Sequence, residues 1–278
     1  MATDASPEVC ADCGGRGWVV EADGGAGRAR RCGCQGRGLV PRLLATAGIP
    51  PQYEHCRLSN FHAGGQGQLL AALQDANRYV ETFIQPEGGG FRQSGLLFVG
   101  TPGVGKTHLA VGVLRSVIEQ YGVQGRFVDF SSLLHQIQST FDPASPESKH
   151  DVLDPVIHAE LLLLDELGAQ QPTAWVSDTI YLILNTRYTR RLPTLFTTNY
   201  RLAAPPGRRA TADSAIAVSD TAAAQGYRGP DVARERGLAM LLERIPAALV
   251  SRLYEMAKPV VIEGEDYREK VLQYSRHR

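Results

Sequence analysis

The chain has 278 residues, enough for one large core with a small module beside it. Hydrophobic residues make up 43% and charged residues 21%, a globular balance. Lys plus Arg equal Asp plus Glu at 29 each, so no net field draws the whole protein onto duplex DNA or an acidic membrane.

The opening MATDASPEVC lacks the basic start and apolar centre of a secretory leader, and no apolar run is long enough to span a bilayer. The sequence therefore predicts a cytoplasmic protein with no membrane partner. In that reducing compartment, clustered cysteines point to metal rather than disulfides. Residues 1–38 contain a degenerate repeat, Cys10-Ala-Asp-Cys13-Gly-Gly-Arg-Gly and Cys32-Gly-Cys34-Gln-Gly-Arg-Gly. Two such halves can offer four thiolates, Cys10, Cys13, Cys32 and Cys34, to one structural Zn²⁺. A segment so small and glycine-rich would draw its stability from the metal.

Residues 39–67, with Pro41, Pro50, Pro51 and the GGQG of 64–67, read as a linker carrying one short helix near Arg42 to Ala47. His55, Cys56 and His62 read as ordinary linker residues. An amphipathic helix is predicted from Gln68 to Ile84, with Leu69, Leu73, Ala76, Val80 and Phe83 on one face.

Leu96 to Thr107, LLFVGTPGVGKT, dictates a chemistry. Gly100, four residues, then Gly105, Lys106 and Thr107 match the phosphate loop G-x-x-x-x-G-K-[ST], between an apolar strand and a helical apolar pattern. The candidate nucleotide contacts run from Gly100 through Thr101, Pro102, Gly103, Val104, Gly105, Lys106 and Thr107 to His108. Glycine lets the backbone bring its N–H groups against phosphate at the positive end of a helix. Lys106 would reach the β and γ phosphates of ATP, and the Thr107 hydroxyl would hold Mg²⁺.

A second strand is predicted over Gly125 to Phe130, with Ser131 capping a helix that runs through Thr140. Residues 142–155 read as a proline-punctuated insertion. Leu161-Leu-Leu-Leu-Asp165-Glu166 is a buried strand closing on two acids, the second nucleotide signature. Asp165 would enter the Mg²⁺ shell, and Glu166 would polarise an attacking water.

Pro172 to Arg191 reads as a long helix and Thr194 to Thr198 as a strand ending in Asn199, which is placed to hold a lytic water beside the γ-phosphate. Residues 204–237, dominated by Ala, Gly, Pro, Arg and Ser, read as a disordered or loosely ordered insertion. A helix over Leu238 to Met256, broken or kinked at Pro246, a strand over Lys258 to Ile262 and a short polar helix complete the chain.

Five strands with intervening helices, read through GTPGVGKTHLA (100–110), LLLLDELG (161–168), TTN (197–199), SRLYEM (251–256) and VIEGEDYR (261–268), resemble an AAA+ ATPase domain. More closely, they resemble the DnaC/DnaI helicase-loader family and its relative, the IstB transposition helper. The resemblance implies an α/β P-loop NTPase over 68–278, with a parallel sheet ordered 5-1-4-3-2 and flanking helices, beside the N-terminal zinc module. It implies self-association through a trans arginine, Arg252, acting on a neighbour's γ-phosphate, with Arg244 a weaker choice, and a second sensor arginine at Arg268. It also implies a single-stranded DNA contact. The helix within Ser131 to Thr140 carries no Lys or Arg, so Arg187, Arg190 and Arg191 are further candidates.

The reading that follows is an ATP-dependent loader of a replicative hexameric helicase onto single-stranded DNA. An IstB-type transposition helper is the nearest alternative. A metabolite kinase would need an acceptor pocket and a water-excluding lid, and a nucleotide-switched adaptor would bind ATP with little turnover.

Overall fold

Apolar pentapeptides alternate with amphipathic stretches along most of the chain, and this alternation builds a parallel sheet covered on both faces. The computed structural model describes residues 18–21, 28–31, 33–84, 92–201, 241–264 and 266–267. Strands β3 (Gly95–Val99), β4 (Gly125–Asp129), β5 (Leu161–Asp165), β6 (Thr194–Thr198) and β7 (Ala257–Val261) form one sheet in the order β4-β5-β6-β3-β7. Every pairing is parallel. Read from the β7 edge, this is the expected 5-1-4-3-2. β3, β5 and β6 are buried throughout, as strands covered on both faces must be. Pro259 is tolerated because β7 is an edge strand.

Side chains of alternate strand residues feed two cores. Leu96, Phe98, Leu161, Leu163 and Leu195 face α2 (Gly67–Glu81) and α3 (Lys106–Tyr121). Leu97, Val99, Leu162, Leu164 and Phe196 face the other layer. That layer holds α4 (Phe130–Ser139), α5 (Lys149–His158), α6 (Ala174–Thr189) and α7 (Ala247–Met256).

Local rules shift several expected boundaries. The cap of α4 is Asp129 rather than Ser131: its carboxylate accepts the Ser132 N–H at 2.7 Å, so the helix begins as the strand ends. Part of the expected 142–155 insertion is helical, because Ser148 and Asp151 form a capping box that starts α5. Pro246 is the N-cap of α7 rather than a kink within a longer helix.

An antiparallel hairpin, β1 (Trp18–Glu21) with β2 (Arg28–Arg31), lies between the two cysteine halves. Helix α1 (Gly33–Thr46) is longer than the short one expected and runs through the 38/39 boundary. Residues read as linker pack into the core. Ala47, Cys56, Leu58 and Ala63 are buried, and the Phe127 N–H on edge strand β4 donates to the Ala47 carbonyl at 2.7 Å. Cys56 is accordingly a core thiol, its pKa raised by burial. The 204–237 segment and most of the predicted C-terminal helix lie outside the described residues. Among the described residues, no helix is long and apolar enough to cross a membrane.

Candidate nucleotide-binding site

Parallel strands deliver their carboxyl ends to one edge of the sheet, and a crevice opens there where the strand order reverses. β3 ends at Val99, between β6 and β7, and the chain turns at once into the glycine loop. The Gly100 N–H donates to the Thr198 carbonyl at 3.3 Å. A side chain at Gly100 would collide with the Ile262 carbonyl. Gly103 and Gly105 take φ of 81° and 96°, left-handed values that a larger residue adopts only with strain.

α3 starts directly after Gly105 with no side-chain hydrogen bond from its cap residue, and a helix N-terminus of this kind is a ready anion site. Lys106 is only 7% exposed, and its ammonium donates to the Thr101 carbonyl at 2.7 Å, which folds it back over the loop. Thr101 and Pro102 are exposed at the loop's tip, whereas Val104 is buried and anchors it in the α3-side core.

His108 sits one residue into the helix from Thr107. Its Nε2 lies 3.0 Å from both the Arg57 carbonyl and the Asn60 side-chain oxygen, so its imidazole faces the 57–60 segment. Burial lowers its pKa, with His55 and His62 adding to the shift and the Arg57 carbonyl opposing it. Phe61 meets this ring edge to face at 5.4 Å and lies against Gly105.

Two signatures distant in sequence converge on one atom. The Thr107 hydroxyl donates to Asp165 Oδ1 at 3.0 Å, and the Thr197 hydroxyl donates to the same oxygen at 2.6 Å. Strand periodicity explains the meeting. Asp165 alternates with Leu163, and Thr197 with Leu195, so both point to the face that α3 covers.

Asp165 is 4% exposed, and burial raises its pKa to about 6 against the two threonine hydrogen bonds, with the Glu166 and Asp129 carboxylates adding to the rise. A buried carboxylate beside a threonine hydroxyl at the foot of a phosphate loop is the hard-oxygen donor set that Mg²⁺ prefers. Thr107 and Asp165 would hold Mg²⁺, which when bound offsets phosphate charge.

Glu166 is exposed and sits in the left-handed region at φ 58°, with its N–H donating to the Thr197 hydroxyl at 2.9 Å. That bend separates it from its buried neighbour. Asn199 follows β6 directly, half-buried, beside the strand end that binds Gly100. Thr197, which ties both acids together, was not singled out from sequence. A hydroxyl on the α3-facing side of a fully buried strand is the signal that could have found it.

Arg252 lies in the layer opposite α3, its guanidinium over the Tyr181 and Tyr188 rings of α6 at 5.1 and 5.8 Å. Arg244 instead stacks on Tyr200 at 5.0 Å. Arg268, Cys10, Cys13 and Cys32 lie outside the described residues, and Cys34 falls in α1 where only the backbone is described. Arg187 is corrected as a DNA-contact candidate. It is fully buried and donates to the Thr194 hydroxyl and to the carbonyls of Val156, Ile157, Ala159 and Pro193. Arg190 and Arg191 are exposed.

A family model for IstB-like ATP-binding proteins matches residues 91–213, which contain the phosphate loop and both acids. The replicative helicase loader DnaC of Escherichia coli K12 is 28% identical over 160 residues, 58% of this chain and 62% of that protein. The uncharacterized protein YqaM of Bacillus subtilis is 28% identical over 172 residues, 60% of this chain and 53% of the relative. The chain thus matches between half and two thirds of the length of these curated relatives.

A crystal structure of the DnaC helicase loader superposes with a TM-score of 0.56 at 29% identity, covering 77% of this chain and 99% of that one. The DnaI structure, at 22% identity and TM-score 0.51, covers 78% of this chain and 93% of its own and speaks to the fold. Family match, loader relatives and sheet order agree: over this region the chain is similar to the DnaC/IstB-type AAA+ ATP-binding proteins.

Proposed function

We propose that this protein is an ATPase that loads a replicative hexameric helicase onto single-stranded DNA. One observation carries the ATPase half: Thr107 and Thr197 converge on Asp165 while Glu166 is swung clear on the next residue. Asp165 serves the magnesium shell, and Glu166 takes the proton of an attacking water. Asn199, at the strand end beside Gly100, orients that water, and Lys106 offsets phosphate charge. Arg252 reaches the γ-phosphate of a neighbouring subunit, consistent with its position in the layer opposite its own phosphate-loop helix. Arg268 serves as the second sensor.

The loader half rests on the likeness to DnaC over nearly the whole of that solved chain. Cys10, Cys13, Cys32 and Cys34 hold a structural zinc in a module that docks on the helicase. The hairpin supports this reading: Trp18 pairs with Arg31, so the described positions nearest in sequence to the two cysteine pairs lie side by side. Four thiolates suit tetrahedral Zn²⁺ and leave no open position for water. Metal analysis should find close to one zinc per chain.

The test is delivery of the helicase to closed circular single-stranded DNA, read as ATP-dependent unwinding of an annealed oligonucleotide. Unwinding only when this protein is present is the expected result. A second reading, the transposition helper, is favoured by the IstB-like family match. It predicts ATP-dependent filaments on duplex DNA and no delivery.

A further inference from the structure

An arginine three residues from a glutamate on the same helix face ordinarily pairs with it. Arg252 and Glu255 have that spacing on α7, yet Glu255 accepts a hydrogen bond from the Tyr188 hydroxyl of α6 at 2.6 Å. Arg252 lies over the rings of Tyr181 and Tyr188, one helix face seven residues apart. Its Nη1 is buried with no hydrogen-bond partner among the described residues.

The two kinds of contact do different things. Stacking on a ring face fixes a guanidinium in place but leaves its charge unneutralised. A carboxylate would neutralise it and occupy the same fork that grips a phosphate. Tyr181, Leu182 and Tyr188 are 42%, 41% and 39% exposed, so the half-buried Arg252 lies at an open aromatic ledge rather than in the core.

We propose that Tyr188 is a positioning residue for the trans arginine. Its ring supports the Arg252 guanidinium, and its hydroxyl keeps Glu255 from pairing with it, so that the charge stays free for the γ-phosphate of a second copy of this chain. Tyr181 supplies the other half of the support. The inference rests on Arg252 acting in trans, and it adds what keeps that arginine competent.

The test is subunit complementation with full-length protein. Arg252→Ala chains keep their own catalytic acids, and Glu166→Gln chains keep their arginine. Mixing the two should restore ATP turnover that neither shows alone. A Glu166→Gln chain that also carries Tyr188→Phe should restore about twofold less turnover, with KM for ATP unchanged, because the phenyl ring remains while Glu255 is released onto Arg252. Adding Glu255→Ala to that chain should bring the rescue back.

A merely structural Tyr188 would not be rescued by removing a second residue. Full complementation by the Tyr188→Phe chain, or failure of Glu255→Ala to restore it, overturns the assignment while leaving Arg252 in place. No complementation by the Glu166→Gln chain overturns the trans arginine itself, and the assignment falls with it.

Discussion

The hydroxyl of Thr197 and the carboxylate of Asp165 are joined by a 2.6 Å hydrogen bond, and the same hydroxyl accepts the Glu166 N–H at 2.9 Å. One side chain on β6 thus bonds the carboxylate that ends β5 and the backbone N–H of the acid that follows it. Thr197→Val keeps the shape and removes the hydroxyl. The expected outcome is a fall in kcat of about tenfold or more, as a supporting hydrogen bond to a magnesium ligand is lost. Steady-state ATPase measurement checks it.

Glu166 is exposed and makes its turn through backbone contacts, so its carboxyl is free of a structural role. Glu166→Gln should leave ATP affinity within about twofold and lower turnover by about a hundredfold or more, the range for loss of a general base. Fluorescent-nucleotide titration beside phosphate release separates the two.

Arg187 bridges α5, α6 and the start of β6 through five acceptors. Burial lowers its pKa to about 9, with Tyr79 opposing the shift, which leaves it charged at neutral pH. Arg187→Met would strand those carbonyls and should cost about 3 kcal/mol. Urea denaturation reads it. Alanine at exposed Arg190 or Arg191 should stay within about 0.5 kcal/mol of the parent.

Gly103 holds φ 81°, and a β-carbon there would run into the Asp266 carboxyl. Gly103→Ala should therefore weaken ATP binding by about tenfold, through a left-handed strain of about 1 kcal/mol plus displacement of Asp266 and Tyr267 from the loop. The Tyr267 N–H donates to the Gly103 carbonyl at 3.2 Å and holds these residues against the loop. Nucleotide titration is the check.

The parts of this site that were legible in the sequence are those where a local pattern and its chemistry coincide. Gly100 to Thr107 can be read because glycine, lysine and threonine are each required at one spacing, and LLLLDE because a wholly apolar strand ending in acids has few other uses. The sheet order followed from the resemblance, not from periodicity.

What escaped reading was set across the sheet or between helices. Thr197 acquires its role only from the strand beside it, and Tyr188 only from α7 packed on α6. The sequence reads Arg187 as a surface base on a helix, but its guanidinium is buried against the carbonyls at the end of α5 and that of Pro193. The cap of α4 was missed by two residues because Asp129 ends a strand and starts a helix at once.

The central claim is tested most directly by mixing the full-length protein with the replicative hexameric helicase of the same cell and measuring complex mass by light scattering after gel filtration. The account predicts a stable complex of defined stoichiometry whose lifetime depends on ATP. Two separate peaks in both conditions, with ATP turnover intact, would contradict it and leave the transposition helper in its place.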